Sequence, residues 1–272
     1  MIRFAKYHGC GNNFIIVKEA DVSGMDYSRL AQDVCSVATG IGADGLIIVR
    51  EKPALEMVFY NMDGSRAPMC GNGIRCFAAF CYDNGIQTER SYPVQTLAGE
   101  MIVNLIETDP FTVKISMGKP SFAADDFGVK NGAETFLDQQ LETTDGVFTV
   151  SSLFMGTVHT VVWVDEYPSE EAASQLSNHP VYTEKTNVNF VKKIDSETLE
   201  IRTYERGVGF TFACGTGACA SLVMGVRDKK TGPKVTVRLP YGQLIIEQLP
   251  DGEVTMAGPA VKVAEGKYSG GK

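Results

Sequence analysis

The sequence predicts an α+β protein of two similar, pseudo-symmetric domains, richer in strand than in helix. Three observations lead there. A cysteine followed by Gly-x-Gly occurs twice, as Met69-Cys70-Gly71-Asn72-Gly73 and Ala213-Cys214-Gly215-Thr216-Gly217, each time opening an apolar run. The surrounding segments match: LIIVREKPALEMVFYNMDGSRAPMCGNGIRCFAAFCYDNG and VNFVKKIDSETLEIRTYERGVGFTFACGTGACASLVMGVRD both read strand, turn, strand, polar turn, cysteine, helix. Each helix is then followed by an alternating apolar/polar stretch, YPVQTLAGEMIVNLIE or KVTVRLPYGQLIIEQ, as half-buried strands require. Self-similarity on this scale indicates internal duplication.

Taken in order, FAKYHGCGNNFIIV gives two short strands flanking a turn. FMGTVHTVVWVDE repeats it in the second half, which sets His8 and His159 at corresponding places. Helices are expected at about 26–38, 71–84, 170–178 and 215–228. A strand series ends at ISMGKPSF, placing the boundary near Met117–Pro120. The expected domains are 1–117, carrying Cys70 and completed by 263–272, and 118–262, carrying Cys214. If each cysteine helix points inward, the two helix starts face each other across an interdomain cleft.

At 272 residues, 44% hydrophobic and 21% charged, the chain has ordinary globular composition. A net charge of −8 argues against nucleic acid and anionic membrane surfaces, both of which select basic patches. No apolar run reaches the roughly 18 residues of a membrane span. The N-terminal MIRFAKYHGCGNN lacks an apolar signal core. Seven cysteines, an odd number, do not suggest a disulfide framework. A cytoplasmic setting with available thiols is the expectation.

Cys70 and Cys214 each sit where a helix starts. Such a start carries N–H donors and partial positive charge, so it attracts a carboxylate and lowers a thiol pKa. The glycines let the backbone approach a ligand. Two such sites converging make one carboxylate pocket with two acid–base thiols. That suits inversion at the α-carbon of an amino acid: one thiolate removes the proton, the opposing thiol returns one to the other face, and bound donors stabilise the carbanion. No cofactor is required.

The ordered series HGCGNNF, GIGADG, YNMDGS, MCGNGIRC, NVNFV, YERGVG and ACGTGACA resembles the diaminopimelate epimerase family of cofactor-independent racemases over nearly the whole chain. The resemblance implies two domains, each a barrel-like, mostly antiparallel sheet around a central helix. It also implies interconversion of LL- and meso-diaminopimelate on the route to lysine and peptidoglycan, a homodimer, and a small-molecule amino acid as the partner. Cys70 and Cys214 would be the acid–base pair. Gly71, Asn72, Gly215 and Thr216 would bind the reacting carboxylate, and Asn12, Asn61, Asn187, Glu205 and Arg206 the rest of the substrate. His159 and Glu205 would tune the cysteines.

The chain departs from the family pattern at several places. Gly156-Thr157-Val158-His159 stands where the family has Gly-Asn-Pro-His, Asn13 replaces an aspartate, and Phe210 replaces a glutamate after ERGxG. Gly45 occupies a position where some members carry glutamine. These changes bear on substrate more than on reaction type. A racemase for another amino acid, such as histidine, is therefore an alternative, and a non-catalytic amino-acid-binding or thiol redox-sensing protein is another. Cys35, Cys76, Cys81 and Cys219 read as small buried hydrophobes, and packing also suits Cys10. Cysteine spacings of six and five residues from Cys70 to Cys76 to Cys81 do not form a zinc knuckle, so no metal is expected. The G-x-G-x-x-G at Gly40–Gly45 follows a helical stretch and precedes a strand, the reverse of a dinucleotide site, and reads as a tight turn.

Overall fold

Residues 1–130 and 132–270 are described by a computed structural model. The chain starts with an antiparallel hairpin, β1 (Ile2–Gly9) and β2 (Asn12–Lys18), closed by Cys10 and Gly11. Both loop residues have positive φ, 56° and 94°, the two-residue geometry whose twist matches the flanking strands. A helical turn, α1 (Glu19–Val22), and α2 (Tyr27–Cys35) then carry the chain to β3 (Gly45–Arg50), which lies parallel to β2. Parallel neighbours cannot be joined by a tight turn, so a helical crossover is needed here. β4 (Glu56–Asn61) returns antiparallel. A second crossover, α3 (Gly71–Asp83), leads to β5 (Ser91–Thr96), parallel to β4 and followed by the antiparallel β6 (Gly99–Thr108) and β7 (Phe111–Ser116).

The chain divides into two compact units, Met1–Ile115 with the segment from Gly258 onward, and Ser116–Ala257. The C-terminal return therefore begins before the expected residue 263. The reason is the last strand, Val261–Tyr268, which pairs along its length with β1.

In the first unit β2 and β3 are buried on both faces. Ile15, Val17, Leu46 and Ile48 form one cluster with Leu30, Ala31 and Val34 of α2. Phe14 and Ile47 point the other way and meet the start of α3 at Gly73. Two-sided burial explains why these strands read as unbroken FIIV and LIIV, not as alternation. Every residue of α3 from Asn72 to Cys81 is buried, as befits a helix packed among strands all round.

The second unit repeats the plan. β8 (Gln139–Thr143), β9 (Gly146–Phe154) and β10 (Val158–Trp163) form a meander. α4 (Glu170–Ser177) crosses to the parallel β11 (Asn187–Lys193), and β12 (Thr198–Glu205) returns antiparallel, with the short β13 (Gly209–Thr211) at its end. α5 (Gly215–Arg227) crosses to β14 (Lys234–Leu239), parallel to β12, then come β15 (Gly242–Gln248) and β16 (Val254–Pro259). The sequence of pairings in this unit is antiparallel, antiparallel, parallel, antiparallel, parallel, antiparallel, antiparallel. Starting from the C-terminal strand, the first unit shows the same series. The C-terminal strand therefore holds the place that β8 holds in the second unit.

Candidate active site

The two cysteines occupy the same structural position. Cys70 is the N-cap of α3 and Cys214 the N-cap of α5, both with extended backbone, φ −137° and −117°. Neither thiol caps its helix. The outer helices differ: Asp26 accepts from Ser28 N and Arg29 N at the start of α2, and Ser169 accepts from Ala172 N at the start of α4. A side-chain oxygen at N-cap satisfies orphan donors of the first turn. At both glycine-rich starts that oxygen is replaced by a weakly accepting sulfur.

In the first unit, Cys70 Sγ lies 3.8 Å from Asn12 Oδ1, which also accepts from Asn72 Nδ2 at 3.2 Å. Asn12 is oriented by a residue the sequence reading passed over. Asp44 Oδ2 accepts from Asn12 Nδ2 (2.8 Å), Asn13 N (2.7 Å) and Asn13 Nδ2 (2.9 Å). The signal was present in Gly-Ala-Asp-Gly, where an acidic residue directly precedes the strand that begins at Gly45. Gly45 is fixed as glycine here, because a Cβ would lie 2.6 Å from the Phe59 ring and 2.8 Å from Tyr60 O. Asn61 pairs with Gly45 across β3 and β4, and its Nδ2 donates to Ser65 Oγ at 2.9 Å. Asn12, Asp44 and Asn61 thus gather at the same ends of three adjacent strands. Arg75 is wholly buried, donating to Gly71 O at 3.0 Å and Pro259 O at 3.3 Å. It ties the start of α3 to the returning C-terminal segment of its own unit.

In the second unit, Cys214 Sγ is 3.5 Å from Thr216 Oγ1. Asn187 Oδ1 accepts from Arg206 N at 2.9 Å, setting the course of the chain after β12. The Arg206 guanidinium donates to Glu184 O at 3.0 Å and Thr157 Oγ1 at 3.2 Å. Thr157 therefore orients the arginine. Glu205 accepts from Thr211 Oγ1 at 2.6 Å. Phe210 lies opposite Tyr204 on β13 and packs edge-on against its ring, centroids 5.4 Å apart. Its role in this structure is aromatic packing.

One expectation about histidine changes. His8 lies in β1, before its turn, whereas His159 lies in β10, after its turn, so the two do not correspond. The resemblance between the hairpins is real, but the histidines sit on opposite arms. His8 Nδ1 accepts from Gly11 N at 3.2 Å within its own turn. His159 is fully buried, and burial first, then the Arg206 charge, lowers its pKa to about 3. It is a neutral ring, so any influence on Cys214 comes through hydrogen bonding and not through imidazolium charge.

Cys35, Cys76 and Cys81 carry free thiols. Cys35, Cys76 and Cys81 are buried, and burial pushes the Cys35 thiol up to about 12 and raises Cys76 and Cys81 as well. Such thiols are poor nucleophiles and bases at neutral pH. Among the described residues, no three of His, Cys, Asp and Glu gather as a metal site, and no helix is long and apolar enough to cross a membrane.

A family model described as "Diaminopimelate epimerase" matches residues 4–123 and 151–263. A diaminopimelate epimerase of Alkaliphilus metalliredigens is 38% identical over 277 residues, covering 98% of this chain and 97% of that protein. One from Clostridium perfringens is 38% identical over 276 residues, covering 98% and 99%. Among solved structures, a hydroxyproline epimerase from Agrobacterium vitis superposes with a TM-score of 0.67 at 14% identity, covering 97% and 90%. A putative phenazine biosynthesis protein from Clostridium difficile gives 0.70 at 11% identity, covering 99% and 100%. At those identities the structural likeness establishes the fold.

Proposed function

The chain belongs to the diaminopimelate epimerase family, and from that premise we propose that it interconverts LL- and meso-diaminopimelate by two-base proton transfer between Cys70 and Cys214. It is an isomerase. The observation that carries the cysteine assignment is their shared place: each is the N-cap of a glycine-started helix packed inside its unit, and neither thiol is spent on capping.

In the forward direction one thiolate takes the α-proton. An S–H bond forms, the Cα–H bond breaks, and the electron pair is spread into the α-carboxylate. N–H donors at the helix starts, from Gly71, Asn72, Gly215 and Thr216, stabilise that developing charge. The other cysteine gives its proton to the opposite face, closing a new Cα–H bond with inverted configuration. The enzyme is left with its two protonation states exchanged, ready for the reverse reaction. Asn12, Asn61, Asn187, Glu205 and Arg206 hold the second amino-acid head of the substrate. Arg206 suits its carboxylate, since a guanidinium can bind it bidentately. The retained and anchored Arg206 favours diaminopimelate over histidine, which offers no second carboxylate. The reading includes a homodimer in the cytoplasm, serving lysine and peptidoglycan precursor synthesis.

The test is deuterium wash-in. Reduced protein in deuterated water should label the α-carbon of LL-diaminopimelate and leave L-histidine and other L-amino acids unlabelled. Cys70→Ala and Cys214→Ala should each lower kcat by about 10²–10⁴, the usual worth of a general acid or base. Label in another amino acid alone would overturn the substrate, and full activity of either variant would overturn the two-base assignment.

A further inference from the structure

We propose that Asn189 is a positioning residue that fixes His159 as its Nε2–H tautomer, so that a neutral ring offers one buried donor to an anion bound near the start of α5. The inference deepens the epimerase reading and rests on it only for the identity of that anion.

The argument begins with the amide of Asn189, which is fully buried on β11. Its Nδ2 lies 3.3 Å from Thr160 O, and a carbonyl only accepts, so this end of the amide is the NH₂. Its Oδ1 accepts from Thr203 Oγ1 at 2.9 Å, which agrees. The same Nδ2 faces His159 Nδ1 at 3.1 Å. With one N–H directed to Thr160 O, the other is donated to the ring. Nδ1 therefore accepts, and in a neutral imidazole the proton then resides on Nε2.

That Nε2–H is buried and has no hydrogen-bond partner among the described residues. Buried donors are nearly always satisfied, so an unsatisfied one needs a reason. Its surroundings supply one. Asn189 is seated against the first turn of α5: a Cβ on Gly217 would lie 2.1 Å from Asn189 Oδ1. The β9–β10 turn approaches the same helix turn, since a Cβ on Gly156 would lie 3.4 Å from Thr216 Cγ2. The Arg206 cation acts on His159. That charge opposes protonation of the ring and draws an anion toward it. A neutral donor beside a cation is suited to a carboxylate or a thiolate. The two sources here are the substrate carboxylate and the Cys214 thiolate.

The experiment uses full-length protein labelled with ¹⁵N-histidine. The chain has three histidines, so His8→Gln and His179→Gln assign the spectrum by elimination. Long-range ¹H–¹⁵N correlations should show His159 as the Nε2–H tautomer at pH 7 and still neutral at pH 5. An Nδ1–H tautomer, or an imidazolium at pH 5, would overturn the proposal. Asn189→Asp replaces the donor by an acceptor. It should move the ring proton to Nδ1 and lower kcat about 100-fold with little change in KM, as loss of one aimed donor does. Unchanged ring signals in a folded Asn189→Asp variant would also overturn it. If that variant does not fold, the spectrum of the unaltered protein decides alone.

The anion is then identified by what moves the Nε2 proton resonance. A shift on raising pH in the free protein that vanishes in Cys214→Ala points to the thiolate. A shift on adding LL-diaminopimelate that persists in Cys214→Ala points to the carboxylate. No shift under either condition means the donor serves no anion, and the proposal fails. If deuterium wash-in fails while the Nε2–H tautomer is observed, the substrate reading falls and the role of Asn189 stands.

Discussion

Gly217→Ala sets two ordinary effects against each other. Helix propensity favours alanine over an interior glycine by about 1 kcal/mol. Packing opposes it, because the new methyl would lie 2.1 Å from Asn189 Oδ1 and 3.2 Å from both Asn189 Cγ and Thr203 Oγ1. An ordinary carbon–oxygen contact is over 3 Å, so Asn189 must retreat by about 1 Å, on the scale of close-packed interiors. It cannot do so freely. Its amide is engaged with His159 Nδ1, Thr160 O and Thr203 Oγ1, all in the buried interior. Overpacking costs about 1–3 kcal/mol, and a buried polar group stripped of its partner about 1–3 more. Sterics therefore win, with a net destabilisation of about 3 kcal/mol. The equivalent glycine of the first unit is the control. A Cβ on Gly73 would meet Cys70 Cβ at 3.3 Å and Ile47 Cδ1 at 3.4 Å, with apolar neighbours only. Gly73→Ala should change stability by less than about 1 kcal/mol, the propensity gain offsetting the tight fit. Urea unfolding of both variants beside the parent protein measures the difference. A Gly217→Ala protein as stable as Gly73→Ala would refute the claim that Asn189 is pinned.

Three other outcomes are expected. His159 is neutral when folded, with a pKa of about 3 against an ordinary 6.5, so the unfolded chain binds a proton that the folded chain does not as pH falls from about 6.5 toward 3. His159→Phe should therefore lose less stability on acidification than the parent, the gap widening by about 1 kcal/mol per pH unit between pH 6 and 4; parallel curves in urea titrations would contradict the burial. Arg75→Met leaves Gly71 O and Pro259 O without their guanidinium donor, and should cost about 3 kcal/mol, visible as a lowered thermal midpoint. Arg206→Ala should raise KM for LL-diaminopimelate about 100-fold, and Thr157→Val, which removes only the hydroxyl that orients the guanidinium, should raise it severalfold with kcat retained.

The duplicated cysteine turn made the fold legible, because both copies kept their glycine pattern and the strands around them kept their order. Periodicity located α2, α3, α4 and α5 to within a few residues. It missed α1, a single turn of four residues too short to show a period. Asp44 was hidden for another reason. It lies in a segment whose glycines announce a turn, and nothing local says that its carboxylate reaches back to Asn12 and Asn13. Asn189 was hidden in an apolar strand, VNFV, where alternation gives its neighbours meaning and leaves its own partners to the fold. The histidine mismatch shows the limit of reading repeats by eye: two hairpins can match as hairpins while a residue type shared by both sits on opposite arms.

The cysteines show where stability has been exchanged for chemistry. A helix start ordinarily carries Ser, Thr, Asp or Asn, and replacing such a cap costs about 0.5–2 kcal/mol. Among the α-helices of more than one turn, this chain follows the rule at Asp26 and Ser169 and breaks it at the two helices that run through the interior of its units. If sulfur is there for acid–base work, restoring a capping oxygen should separate the two properties. Cys70→Ser is the cleaner choice, since Cys70 is only partly buried whereas Cys214 is 7% exposed and a hydroxyl there would be desolvated. A serine hydroxyl accepts from the first-turn N–H groups far better than a thiol, so the variant should gain about 1 kcal/mol of stability. It should also lose proton exchange at the α-carbon, because an alcohol does not ionise near neutral pH. Denaturation midpoint and deuterium incorporation, measured on one preparation, read both. A variant less stable than the parent would mean that the cysteine is held by packing and that the missing cap has no functional meaning; a more stable but inactive one is what a thiol kept for catalysis requires.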